Sequence, residues 1–115
     1  MPSIPVVVAE TLVFQRTASA IMSAVEVHEL IDYLARHPTA GDVIQGTGGI
    51  RKLRWRRPGM GKRGGARIVY YHHDDTMPVF LLLAYAKSSA ADISADQKRR
   101  IADLVVELVR SHKER

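Results

Sequence analysis

RKLRWRRPGMGKRGGARIVYYHHDDTMPVFLLLAYAK, residues 51–87, decides the fold. Successive side chains of a strand point to opposite faces. Over residues 51–56 that rule sets Lys52, Arg54 and Arg56 on one side and Leu53 and Trp55 on the other. The result is a strand with an apolar back and a cationic front. Residues 58–65, PGMGKRGG, read as a flexible basic hairpin loop. Residues 67–72 are rich in β-branched and aromatic types and form a second strand. Asp74, Asp75 and Pro78 mark a turn. Residues 79–86 are apolar on both faces and read as a third, central strand.

Outward from this hairpin the periodicity changes. Residues 5–15 contain VVV and then TLVF, which predicts an extended N-terminal strand. A short helical stretch is expected over residues 17–22. Ser23 and Glu26 make a capping box, and Val27, Leu30, Ile31 and Leu34 follow at helical spacing until Pro38 stops the helix. Residues 39–49 are rich in Gly and Thr and read as a loop. Ser94 and Gln97 make a second capping box. The last helix carries Ile101, Leu104, Val105, Leu108 and Val109 on one stripe. The expected order is β-α-α-β-β-β-α, an α+β fold with a small twisted, mostly antiparallel sheet and helices packed on it. With no repeat and no linker, residues 1–115 are expected to form a single domain.

Composition limits the function classes. The 115 residues include no cysteine, which excludes disulfides and thiolate metal sites and fits a cytoplasmic location. The longest apolar run, residues 79–86, is too short to span a membrane. The opening MPSIPVVVAE has no basic region before its apolar residues, so no signal peptide is expected. Lys and Arg number 17 against 12 acids, a formal charge of +5. Residues 51–67 hold eight of those 17 cations and no acid, so the remainder is slightly acidic. A local positive patch on a near-neutral body suits phosphate binding.

The order of elements and the loaded hairpin resemble the RelE/HigB toxin superfamily. GDVIQGTGGIRKLRW, GKRGGARIVYY and FLLLAYAK, within residues 41–87, are similar to the HigB branch. The resemblance implies a toxin that enters the ribosomal A site, cuts mRNA there and is silenced by an antitoxin. In the HigB branch that antitoxin is expected to be a helix-turn-helix, HigA-like protein. Lys52 and Arg54 match the family's paired basic positions before the loop, and Arg67 matches the arginine that opens the next strand. Lys87 lies near a further basic position at the end of the third strand. Some members carry a tyrosine shortly after it. Here Ile93 and Ser94 occupy that region, and the nearest phenol is Tyr85.

RNA is cut without metal or cofactor when its own 2′-OH attacks the adjacent phosphorus. The reaction needs a base, cations for the charge that builds on the phosphate oxygens, and an acid for the leaving oxygen. Arg54 and Arg67 suit the second role, since guanidinium stays charged and offers phosphate a planar fork. Lys52 is the candidate for proton transfer, a role in which neighbouring cations would loosen its proton. Lys87 is a candidate phosphate contact. Arg51, Arg56, Arg57, Lys62 and Arg63 are candidate RNA-binding residues, docking on rRNA phosphates.

Plainer readings stand beside these. A charge run is often only a solvated face. Trp55 alternates with the apolar set and reads as core before it reads as a base-stacking platform. His72, His73, Asp74 and Asp75 alternate faces and are a poor metal cluster, although either histidine suits general-base work. Residues 58–65 lack the GK[ST] ending of a phosphate-binding P-loop. Two rivals to the nuclease reading are a non-catalytic RNA- or DNA-binding module and a toxin of the same fold that inhibits a protein such as gyrase.

Overall fold

The computed structural model describes residues 5–55, 65–86 and 94–113. Its elements are β1 (Val8–Glu10), α1 (Leu12–Ser19), α2 (Ala24–Arg36), β2 (Asp42–Val43), β3 (Ile50–Trp55), β4 (Ala66–Tyr71), β5 (Val79–Ala86) and α3 (Ala95–Lys113). The strands form one sheet in the order β1-β5-β4-β3-β2. Among the described strands only β1 runs parallel to its neighbour; the other pairings are antiparallel. This is the expected α+β fold with a mostly antiparallel sheet. No described helix is long and apolar enough to cross a membrane.

Helices cover both faces of the sheet. Phe14, Ala18, Leu30 and Leu34 of α1 and α2 pack on Leu53, Ile68, Tyr70 and Leu81. On the other face, Val105, Ile101, Leu104 and Leu108 of α3 pack on Ile50, Val69, Phe80 and Leu82. β5 lies between β1 and β4 and contributes to both clusters, which is why its sequence is apolar throughout. Where β4 passes from Val69 to Tyr70, the partner on β5 steps from Leu83 to Leu81. Leu82 is the extra residue of this bulge, and Leu82 and Leu83 both join the α3 side.

Two local expectations are corrected. The strand expected over residues 5–15 is confined to Val8–Glu10, and residues 12–14 begin a helix. Thr11 makes the switch. Its Oγ1 accepts from Phe14 N at 3.2 Å, capping α1, and donates to Leu81 O at 2.8 Å. The apolar residues then sort at helical spacing: Phe14 and Ala18 are buried while Leu12 and Val13 are exposed. Helix α1 continues along the flank of β5 beyond the end of β1, where Thr17 Oγ1 accepts from Ala84 N at 3.0 Å. That contact satisfies an edge donor that three-residue β1 is too short to reach. The second correction concerns residues 39–49, expected as loop throughout. They contain β2, whose Asp42 and Val43 pair with Lys52 and Arg51. Gly49, at φ +112°, allows the return into β3.

The capping box at Ser23 is as expected. Glu26 N donates to Ser23 Oγ at 3.1 Å, and Ser23 N donates to Glu26 Oε1 at 3.0 Å. Ser94 and Gln97 repeat the pattern at the start of α3, with reciprocal contacts of 3.1 Å. Trp55 packs against the α1–α2 core and stands 5.5 Å from the Tyr33 ring, in keeping with its reading as core.

Gly41 ties β2 to the sheet. Its N–H donates to Tyr70 Oη at 2.8 Å, and Tyr70 is wholly buried. Burial pushes the Tyr70 phenol above its ordinary value and keeps it neutral, although the Gly41 N–H and Arg51 act the other way. A Cβ at position 41 would stand 2.9 Å from Tyr70 Cε1 and 3.0 Å from Lys52 O. Gly41→Ala is therefore expected to destabilise the protein by about 1–3 kcal/mol, as overpacking does. A urea titration with an unchanged m value checks it. An unshifted midpoint would show that β2 gives way freely.

Candidate nucleic-acid interface

Strand register decides which cations meet. Residues directly opposite in an antiparallel pair share a face, with Cβ atoms about 4.5–5.5 Å apart. Arg54 of β3 is opposite Arg67 of β4, and Arg67 is opposite Tyr85 of β5. One step along, Asp42 of β2 is opposite Lys52, Lys52 is opposite Val69, and Val69 is opposite Leu83. Two rungs thus cross the sheet on the α3 side. One reads Arg54–Arg67–Tyr85 and the other Asp42–Lys52–Val69–Leu83. The apolar ends of the second rung lie under α3, whereas Arg54 is exposed and Lys52, Arg67 and Tyr85 are half-buried.

Like charges directly opposite destabilise a strand pair. Among the described residues, neither Arg54 nor Arg67 forms an ion pair with a carboxylate. The structure therefore holds two guanidinium groups on one rung, and an anion placed between them would relieve their repulsion. Arg67 Nη1 lies back over Gly65, 3.5 Å from the place a Cβ there would occupy.

Beside this rung is an open groove of about 570 Å³. It is lined by Lys52 and Arg54 of β3, by Gly41, Asp42 and Gln45 of the β2 segment, and by Lys98 of α3. Sequence reasoning missed Asp42, Gln45 and Lys98. Asp42 and Gln45 fall in the stretch read as loop. Lys98 did carry a signal. It lies three residues before Ile101 and seven before Val105, on the stripe that α3 turns to the sheet.

The other expected site residues divide. Arg51 is not brought to this face. It is opposite Tyr70, on the α1–α2 side, and its Nη1 donates to Gly41 O at 2.7 Å and Thr39 O at 3.3 Å. Period-two alternation turns it away from Lys52 and Arg54, and it braces the β2 connection instead. Arg56, Arg57, Lys62, Arg63 and Lys87 lie outside the described residues. His72 and His73 follow the far end of β4, beyond Tyr71. Tyr71 is four residues from Arg67, or about 13 Å along a strand. His72 Nε2 stands 3.7 Å from Asp75, and His73 Nε2 stands 3.6 Å from Asp74, with Tyr71 Oη 3.0 Å from His73 Nδ1. Burial, helped by Asp74, raises the Tyr71 phenol above its ordinary value. This cluster is separate from the cationic rungs.

The fold and its cationic rungs define a small α+β protein with an anion-binding sheet face. The family model for the RelE toxin of the RelE/RelB toxin–antitoxin system matches residues 13–115. The chain belongs to the RelE toxin family, and its partner in such a system is an antitoxin.

Proposed function

We propose that this toxin is a ribosome-dependent mRNA endoribonuclease of the HigB branch that halts translation. RelE-family toxins are generally mRNA endoribonucleases that inhibit translation. The observation that carries the reading is the Arg54–Arg67 rung, two facing guanidinium groups without a carboxylate partner among the described residues. Such a pair suits the pentavalent phosphorane, whose non-bridging oxygens gain charge as the 2′-OH attacks. The attack forms the O2′–P bond and breaks the P–O5′ bond, giving a 2′,3′-cyclic phosphate and a 5′-OH whose proton comes from solvent water, with no metal or cofactor. Lys52, on the adjoining rung, takes the hydroxyl proton, and Lys87 is a further phosphate contact. Arg56, Arg57, Lys62 and Arg63 dock on RNA phosphates.

So small a site gains most from a substrate already held in line, which the ribosomal A site supplies. The proposed setting is the cytoplasm, with residues 1–115 acting as one domain. The proposed antitoxin is a HigA-like helix-turn-helix protein that neutralises the toxin.

Production of the protein in a translating extract, with mapping of new mRNA 5′ ends, tests the reading. Cuts are expected inside codons and only where ribosomes are engaged. RNA binding without cuts would favour the non-catalytic module, and DNA damage with intact mRNA would favour a gyrase-type target. Lys52→Arg separates charge from proton transfer, because it keeps the cation and removes the titratable amine. The cleavage rate is expected to fall by roughly 10²–10⁴-fold, the usual worth of general acid–base catalysis, with RNA binding retained. A rate within a few-fold of wild type would leave Lys52 as a phosphate contact alone.

A further inference from the structure

We propose that the groove between residues 40–45 and α3 is a nucleotide subsite next to the scissile phosphate. Lys98 takes a flanking phosphate there, and Gln45 and Asp42 read the edge of a single-stranded base. The inference rests on the RNA-cleaving reading above and extends it to substrate choice.

Three observations converge. The first is placement: Lys98 lines one groove with Lys52 and Arg54, which belong to the proposed phosphate site. The RNA chain that crosses the Arg54–Arg67 rung therefore meets this groove on its β2 side. The second is the orientation of Lys98. It continues the stripe of Ile101 and Val105 that packs on the sheet, and it is half-buried while residues 94–97 and 99–100 are exposed. A lysine at the end of an apolar stripe, where the sheet surface itself turns cationic, is a poor structural choice. Arg100, the residue before Ile101 and so about 100° round the helix from that stripe, is paired with Asp96 at 3.2 Å. Lys98 has no carboxylate partner among the described residues.

The third observation is the chemistry of the wall. Phosphate itself has no use for a carboxylate or an amide acceptor, so this wall adds chemistry beyond the cross-strand pairing of Asp42 with Lys52. Asp42 and Gln45 are of residue types that bond to base edges, the amide through a paired donor and acceptor and the carboxylate through base amino groups. RNA bases are read this way when they are unstacked from a single strand. A volume of about 570 Å³ fits a nucleotide rather than a water or an ion.

The test uses the whole protein and a short single-stranded RNA carrying a site that the wild type cuts in the extract. Affinity for this RNA is read by fluorescence anisotropy, and cut positions by 5′-end mapping of mRNA in the translating extract. Lys98→Gln is expected to weaken binding about fivefold at 0.1 M salt, the factor that one lost phosphate contact gives for single strands. Lys98→Arg is expected to restore it. Gln45→Ala is expected to spread cuts over nucleotides that the wild type avoids. Wild-type affinity in Lys98→Gln, together with an unchanged set of cut positions in Gln45→Ala, would overturn the subsite and leave the nuclease reading standing. A wild-type protein that binds but never cuts would instead defeat the nuclease reading, and the Lys98 affinities would still decide the subsite. A wild-type protein that binds no RNA would defeat both.

Discussion

Arg67→Ala is expected to lower mRNA cleavage by roughly 10²–10³-fold, the usual effect of removing one donor that stabilises transition-state charge. Arg67 occupies the middle of a rung, between Arg54 and Tyr85. It is half-buried, so its guanidinium has fewer places to go than that of exposed Arg54. A cation held in place beforehand needs less reorganisation when charge develops. The same variant removes one partner of a like-charge pair, so the fold is expected to hold or to gain slightly. Activity and stability should therefore move independently. Single-turnover cleavage of a reporter mRNA engaged on ribosomes gives the first quantity and a thermal melt the second. Full activity in Arg67→Ala would remove this arginine from the site, and a collapsed melting temperature would make it structural.

Phe14→Ala is expected to destabilise the protein by about 3–5 kcal/mol, the range for truncating a buried aromatic. Phe14 is 0% exposed and lies in the core beneath α1 and α2. Its helix is only eight residues long, too short to persist without packing. Losing this anchor would free α1, and with it the Thr11 and Thr17 contacts that close the flank of β5. Domains of this size are stable by about 5–15 kcal/mol, so the loss is a large share of the total. Urea denaturation followed by circular dichroism checks it. A change below about 1 kcal/mol would mean that the site collapses around the gap.

The central hairpin was legible because its pattern is strict. Residues 52–56 alternate without exception, and β3 and β4 pair Arg54 with Arg67 as one rung. The buried stripe of α3 and both capping boxes were equally plain. The N-terminal segment misled because TLVF is as good a strand as a helix by propensity. Contact with Leu81, 70 residues away, decides that Thr11 caps a helix. β2 was hidden for a related reason. Two residues carry no periodicity, and their pairing depends on the close approach of Gly41 to Tyr70.

The same limit applies to the interface. Lys52, Arg54 and Arg67 announced themselves through local charge density. Asp42, Gln45 and Lys98 reach the groove only through the fold, from a short edge strand, the loop after it and a distant helix. Arg51 shows the converse. Its charge looks functional in the linear sequence, yet strand alternation sends it to backbone carbonyls on the opposite face.

The salt dependence of RNA affinity tests the central claim most directly, comparing wild type with the double variant Arg54→Gln/Arg67→Gln. If both guanidinium groups grip the RNA backbone, log K against log salt should flatten by about 1.4 in the double variant, about 0.7 for each lost phosphate contact on a single strand. Parallel lines of equal affinity would mean that these facing arginines do not hold RNA.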